Sequence, residues 1–205
     1  MKPLLALAAL LSAALMLAVA CAGADHHDGG AADAPAQPTG IRWTDYQGVA
    51  IPLTDQGPRT YTPSVAAGFD PSPVGAAVAA IVHTIRMSLA ADGAWAQIAA
   101  AELAPGPGKD DWATARVLFS ITRPAEPSSA PRILGYDVDQ YTPGKRAEVT
   151  VFTAYPDASL AATRTVVVWM GEDWRLQLPD PHSTQRLVQT ISRIPDSAVR
   201  LEKSR

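Results

Sequence analysis

Apolar residues recur at intervals of three and four up to about Ile121 and at intervals of two beyond Arg132, so the pattern predicts helices followed by strands. Val74, Val78, Ile81 and Ile85 fall on one helical face. Ser72 suits the N-cap, and Pro73 suits the first helical position, where its missing N–H costs nothing. The other side carries Ala76, Ala79, Ala80 and Met87, small enough for a second element to approach closely. Asp92-Gly93 breaks the pattern, and Trp95, Ile98, Ala99 and Leu103 predict a second helix. After the loop Pro105-Gly106-Pro107-Gly108, a third helix capped by Asp110 or Asp111 runs to about Ile121, with Trp112, Ala115 and Phe119 inward. Pro124, Pro127 and Pro131 then forbid helix.

In the strand region Tyr136 and Val138 share one face, and Val149 and Val151 share the next across a turn at Pro143-Gly144. A two-residue turn there would set Asp139 against Glu148, and like charges repel across a ladder, so a bulge or longer loop is predicted. A type II′ turn at Gly171-Glu172 pairs Trp169 with Trp174, Val167 with Leu176 and Thr165 with Leu178, with Val168–Arg175 and Val166–Gln177 on the reverse face. A last helix from Ser183 or Thr184 places Leu187, Val188, Ile191 and Ile194 on one side. Ahead of the first helix, Trp43, Val49, Ile51 and Leu53 mark a short strand interrupted by Gly48 and Pro52. Helices gathered before an antiparallel meander indicate α+β, with the helices packed on a curved sheet. The element tally resembles the cone-like fold of nuclear transport factor 2.

The amino terminus differs from everything after it. Lys2 precedes an apolar run from Leu4 to Ala20 broken only by Ser12, which has the order of a secretory signal and falls short of the roughly 20 residues a spanning helix needs. The only cysteine, Cys21, follows directly. The junction resembles a bacterial lipoprotein signal, although Ala18 stands where such signals usually carry Leu. Ala18-Val19-Ala20 also suits ordinary signal-peptidase cleavage, and an uncleaved anchor is a third outcome. Ala22 to Gly40 has no large apolar residue and reads as a disordered tether reaching about 25 Å. The predicted division is therefore a signal peptide over 1–20, a lipidated cysteine and tether over 21–40, and a single α+β domain over 41–205.

Composition narrows the function classes. Lys and Arg number 17 against 20 Asp and Glu, so the chain lacks the cationic excess of nucleic-acid binders. One cysteine excludes an intrachain disulfide and a cysteine-rich zinc site. His26-His27-Asp28 has metal-ligand chemistry but no rigid frame, so no metal and no cofactor are expected. The signatures of nucleophile elbows, phosphate loops and dinucleotide folds are missing, which predicts a protein that is not an enzyme.

Three groups carry an alternative reading. His83 lies on the first helix as either a satisfied core histidine or a general base. Asp137 and Asp139 share a strand face, as paired carboxylates inside a cone or as charges guarding an edge. Together they would make a small-ligand-binding or acid/base cone enzyme. His182 reads as a residue at a helix entry. Trp43, beside the tether, is the candidate partner contact, because aromatic anchors dominate interface energetics.

Trp43, Gly48-Val49-Ala50-Ile51-Pro52-Leu53, Gly57-Pro58, Gly68-Phe69, Pro73-x-Gly75-Ala76, Gly135-Tyr136, Tyr141 and Trp169-x-Gly171-x-Asp173-Trp174-Arg175 occur in that order. Together they resemble an uncharacterised family of actinobacterial envelope proteins found with conjugative and integrative elements. Asp70 and Glu172 depart from its pattern. The resemblance implies an extracytoplasmic accessory or structural component, in the setting of a conjugative transfer apparatus, with envelope protein partners and with the membrane as a second partner through Cys21.

Overall fold

The computed structural model describes residues 36–201, which lie within one compact unit. The predicted signal, Cys21 and His26-His27-Asp28 lie outside the described residues.

The expected lead strand is a hairpin of β1 (Arg42–Tyr46) and β2 (Val49–Leu53). Gly48 is its turn rather than an interruption. Gln47 and Gly48 both have positive φ, and a Cβ on Gly48 would meet the Ala125 carbonyl oxygen at 2.3 Å. Pro52 is tolerated on a strand with only one ladder partner. The connection that follows carries a minimal ladder, β3 (Thr60–Tyr61) with β4 (Ala66–Ala67).

Helix α1 (Pro73–Leu89) starts as its sequence predicts, with the Ser72 hydroxyl accepting from Gly75 N–H at 3.0 Å. Its apolar face and its alanine face are both buried, because the helix runs through the core between the first hairpin and the large sheet. Helix α2 spans Trp95–Glu102. Helix α3 spans Pro107–Arg116, starting earlier and ending sooner than expected. Pro107 takes the first helical position, which leaves Asp110 inside the first turn instead of at the cap. Trp112 packs edge-on against Trp95, but Ala115 and Phe119 are exposed, since the helix lies on the surface and stops before Phe119 could turn inward.

The main sheet contains β5 (Arg132–Thr142), β6 (Arg146–Ala154), β7 (Leu160–Met170), β8 (Asp173–Gln177), β9 (Val188–Ile191) and β10 (Val199–Arg200). The order is β10-β5-β6-β7, all antiparallel, and β8 and β9 share the outer edge of β7. Strand β8 pairs with Val166–Met170 and β9 with Leu160–Thr163, which leaves a gap between them. The expected registers Trp169–Trp174 and Val167–Leu176 are present, and in the preceding pair of strands Tyr136 faces Val151 and Val138 faces Val149. The ladder bulges between Val138 and Gln140, so Gln140 and not Asp139 faces Glu148. Gly171 and Glu172 both have positive φ, making the last turn type I′ rather than II′. Pairing stops at Val166–Gln177, so the Thr165–Leu178 pair does not form.

The closing helix is absent. Val188, Thr190 and Ile191 are β-branched, and the free half of the β7 edge offers them a ladder. Ile194 and Ala198 then pack with Phe152 on the reverse face of the sheet. The chain ends its described course as β10, beside Gly135, where a Cβ would lie 2.3 Å from the Val199 carbonyl oxygen. Among the described residues the architecture is thus three helices with a mostly antiparallel sheet in one α+β domain.

Candidate functional site

The most concentrated chemistry is sealed in the core. His83 and Arg86 stand one helical turn apart on α1 and meet Glu102, the last residue of α2. The Glu102 carboxylate accepts from His83 Nδ1 at 2.9 Å, Arg86 Nε at 2.8 Å and the Ala66 N–H at 2.9 Å. The other imidazole nitrogen faces the Trp174 carbonyl oxygen at 3.0 Å, and the Phe69 ring packs edge-on against the imidazole. The Arg86 guanidinium lies 4.7 Å from the Tyr46 ring centroid and 5.2 Å from that of Tyr61. Burial raises both phenol pKa values, and the arginine charge opposes that rise.

This arrangement ties α1, α2 and β4 together through one carboxylate and reaches β8 through the His83 imidazole. All three side chains are at most 1% exposed. With both ring nitrogens engaged and no route to solvent, His83 has no free position from which to take a substrate proton. Sequence reasoning singled out His83 but missed Arg86 and Glu102. The available signal was that His83 and Arg86 are the only ionisable residues on a helix otherwise apolar enough to be buried.

The other candidates lie elsewhere. Asp137 is half-buried on the reverse face, where Ser197 Oγ donates to it at 3.4 Å, and burial raises its pKa. Asp139 is exposed at the bulge and accepts from Thr150 Oγ1 at 2.6 Å. Neither carboxylate joins His83, so the acid/base constellation is not assembled. His182 is exposed in the loop before β9, not at a helix entry. Trp43 is half-buried against the core, with part of its ring in solvent.

A second buried arginine holds a surface tip. Arg116 donates to the Phe119 carbonyl at 2.7 Å, the Ala90 carbonyl at 2.8 Å and Asp92 at 2.8 Å. Hydrogen bonds from Ser120 and Arg116 lead the forces that hold the Asp92 pKa down to about 2. The residues so fixed, Val117, Leu118 and Phe119, are exposed.

The principal cleft follows from the sheet topology. A cavity of about 540 Å³ opens at the gap between β8 and β9, bounded by α1, residues 104–109 and the segment 178–188. A smaller one of about 240 Å³ lies between α1 and β5–β7, lined mainly by Val49, Ile81, Ile85, Leu89, Ile133 and Val151. The two share Thr84, Thr163 and Thr165. Among the described residues, no group of three or more His, Cys, Asp or Glu could hold a metal ion, and no helix is long and apolar enough to cross a membrane.

No curated protein and no solved structure matches the chain. A family described as Domain of unknown function (DUF8175) matches residues 12–196, a span that includes Cys21, all three helices and the meander. The chain belongs to the DUF8175 family.

Proposed function

We propose that this protein is exported, lipidated at Cys21 and held on the outer face of the cell membrane. There its domain acts as a non-catalytic structural or accessory component of the envelope, in the setting of conjugative transfer. One observation carries this reading: the only cysteine stands directly after a short apolar run with a positive start, a junction that lies inside the span 12–196 matched by the family. The sealed His83–Glu102–Arg86 network, with Asp137 and Asp139 outside it, supports a non-catalytic role. Helices ahead of an antiparallel meander support a cone of the nuclear-transport-factor-2 type. Envelope proteins are the proposed partners, with Trp43 as a contact, and nucleic acid is not.

Cys21→Ser tests it. The wild-type protein is expected in the membrane fraction, released by detergent and not by high salt, because two acyl chains anchor stably where one does not. The variant is expected in the soluble fraction, and mating by cells that carry only the variant is expected to fall. A variant that stays with the membrane overturns the anchor, and unchanged transfer overturns the conjugative setting.

The cleft favours a second reading, a small-ligand-binding domain without catalysis. Its volume lies within the usual range for ligand sites, roughly 300–1,000 Å³, and its lining mixes apolar residues such as Met87, Leu176 and Leu178 with polar and charged ones.

A further inference from the structure

Thr84 stands where the two cavities adjoin, and its hydroxyl is buried with no hydrogen-bond partner. That is unusual for a helical hydroxyl. On the same helix Ser88 bonds back to the carbonyl four residues earlier, at 2.8 Å, and Thr114 does so on α3. A buried polar atom left unsatisfied is costly, and the Thr84 side chain stands in the wall that both cavities share.

Charge is arranged unevenly around that point. The smaller chamber is uncharged, with aliphatic side chains interspersed with hydroxyls. The larger one carries Lys109, Arg146 and Arg164, against the carboxylates of Glu148 and Asp180. Arg146 and Glu148 pair with each other at 2.5 Å, and Asp180 accepts from the His182 N–H. Lys109 is half-buried with only a 3.4 Å contact to the Leu103 carbonyl oxygen, and among the described residues neither it nor Arg164 has a carboxylate within ion-pair distance. Burial and the positive charge of Arg175 lower the Lys109 pKa, a penalty that an anion beside it would relieve.

We propose that the cleft binds a single-chain anionic amphiphile. Its apolar tail occupies the chamber between α1 and the sheet, an oxygen of its head takes the Thr84 hydroxyl, and its negative charge lies toward Lys109. This rests on the ligand-binding reading of the cleft and does not depend on the lipid anchor.

The test is isothermal titration of the full-length Cys21→Ser chain with dodecanoate and, separately, with dodecyltrimethylammonium, which has the same tail and a positive head. Dodecanoate is expected to bind saturably at one site. Binding should weaken about tenfold in Lys109→Gln, as loss of a charge-assisted contact implies, and less in Thr84→Val. Ile85→Trp, which fills the tail chamber, should abolish it, with near-ultraviolet circular dichroism confirming the fold of each variant. If neither amphiphile binds, the ligand-binding reading itself falls. If both bind equally, the cleft stands and the anionic class falls. Dodecanoate binding that survives both Ile85→Trp and Thr84→Val lies elsewhere and overturns the proposal.

Discussion

Glu102→Gln is expected to lower the unfolding free energy by about 3–5 kcal/mol, the usual cost of breaking a buried ion pair by removing one partner. The carboxylate receives three donors, from Ala66, His83 and Arg86, and all of its surroundings are buried. A glutamine has one acceptor oxygen and presents an amide NH2 to at least one of those donors. Arg86 is then a buried cation with no anion beside it. Urea unfolding followed by tryptophan fluorescence measures the change, read as a shift in midpoint at constant slope. Glu148→Gln, which breaks a partly exposed pair with Arg146, is the control and should change stability by about 1 kcal/mol or less. Equal effects from the two substitutions would mean that the sealed network does not hold α1, α2, β4 and β8 together.

Trp174→Ala should cost about as much, roughly 3–5 kcal/mol, for a different reason. Trp174 is 1% exposed and stacks edge-on with Trp169 at 5.2 Å, and its ring lies 6.0 Å from that of Tyr141. Alanine leaves a void that a close-packed core between a sheet and a buried helix refills only in part. The indole Nε1 also donates to the Asp70 carbonyl at 2.8 Å, tying β8 to the residues just before α1. Trp174→Phe keeps much of the ring and loses that bond, so it should cost about 1–3 kcal/mol. The same denaturation midpoints rank the two variants. A loss under about 1 kcal/mol in Trp174→Ala would contradict the packing described.

What could be read in the sequence was what local chemistry decides. Ser72 and Pro73 mark the start of α1 because cap and first-turn preferences act over a few residues. The Trp169–Trp174 register follows from turn length and a period of two. The bulge at Asp139 follows from a charge conflict visible once the strands are aligned. The failures are long-range. Leu187, Val188, Ile191 and Ile194 fit a helix, and the vacant edge of β7 made a strand the better solution. Glu102 sits at the end of an alanine-rich helix with nothing nearby to reveal that it bonds to Arg86 and His83, sixteen and nineteen positions away. The cleft was invisible for the same reason, since it exists only because β8 and β9 divide one strand edge between them.

The central claim concerns Cys21, and mass spectrometry of the mature protein's first peptide, purified from membranes of the native host, tests it most directly. The predicted result is a peptide that begins at Cys21, lacks residues 1–20 and carries a diacylglyceryl group on the sulfur. A peptide with an unmodified Cys21 thiol, or one that retains residues 1–20, would contradict it.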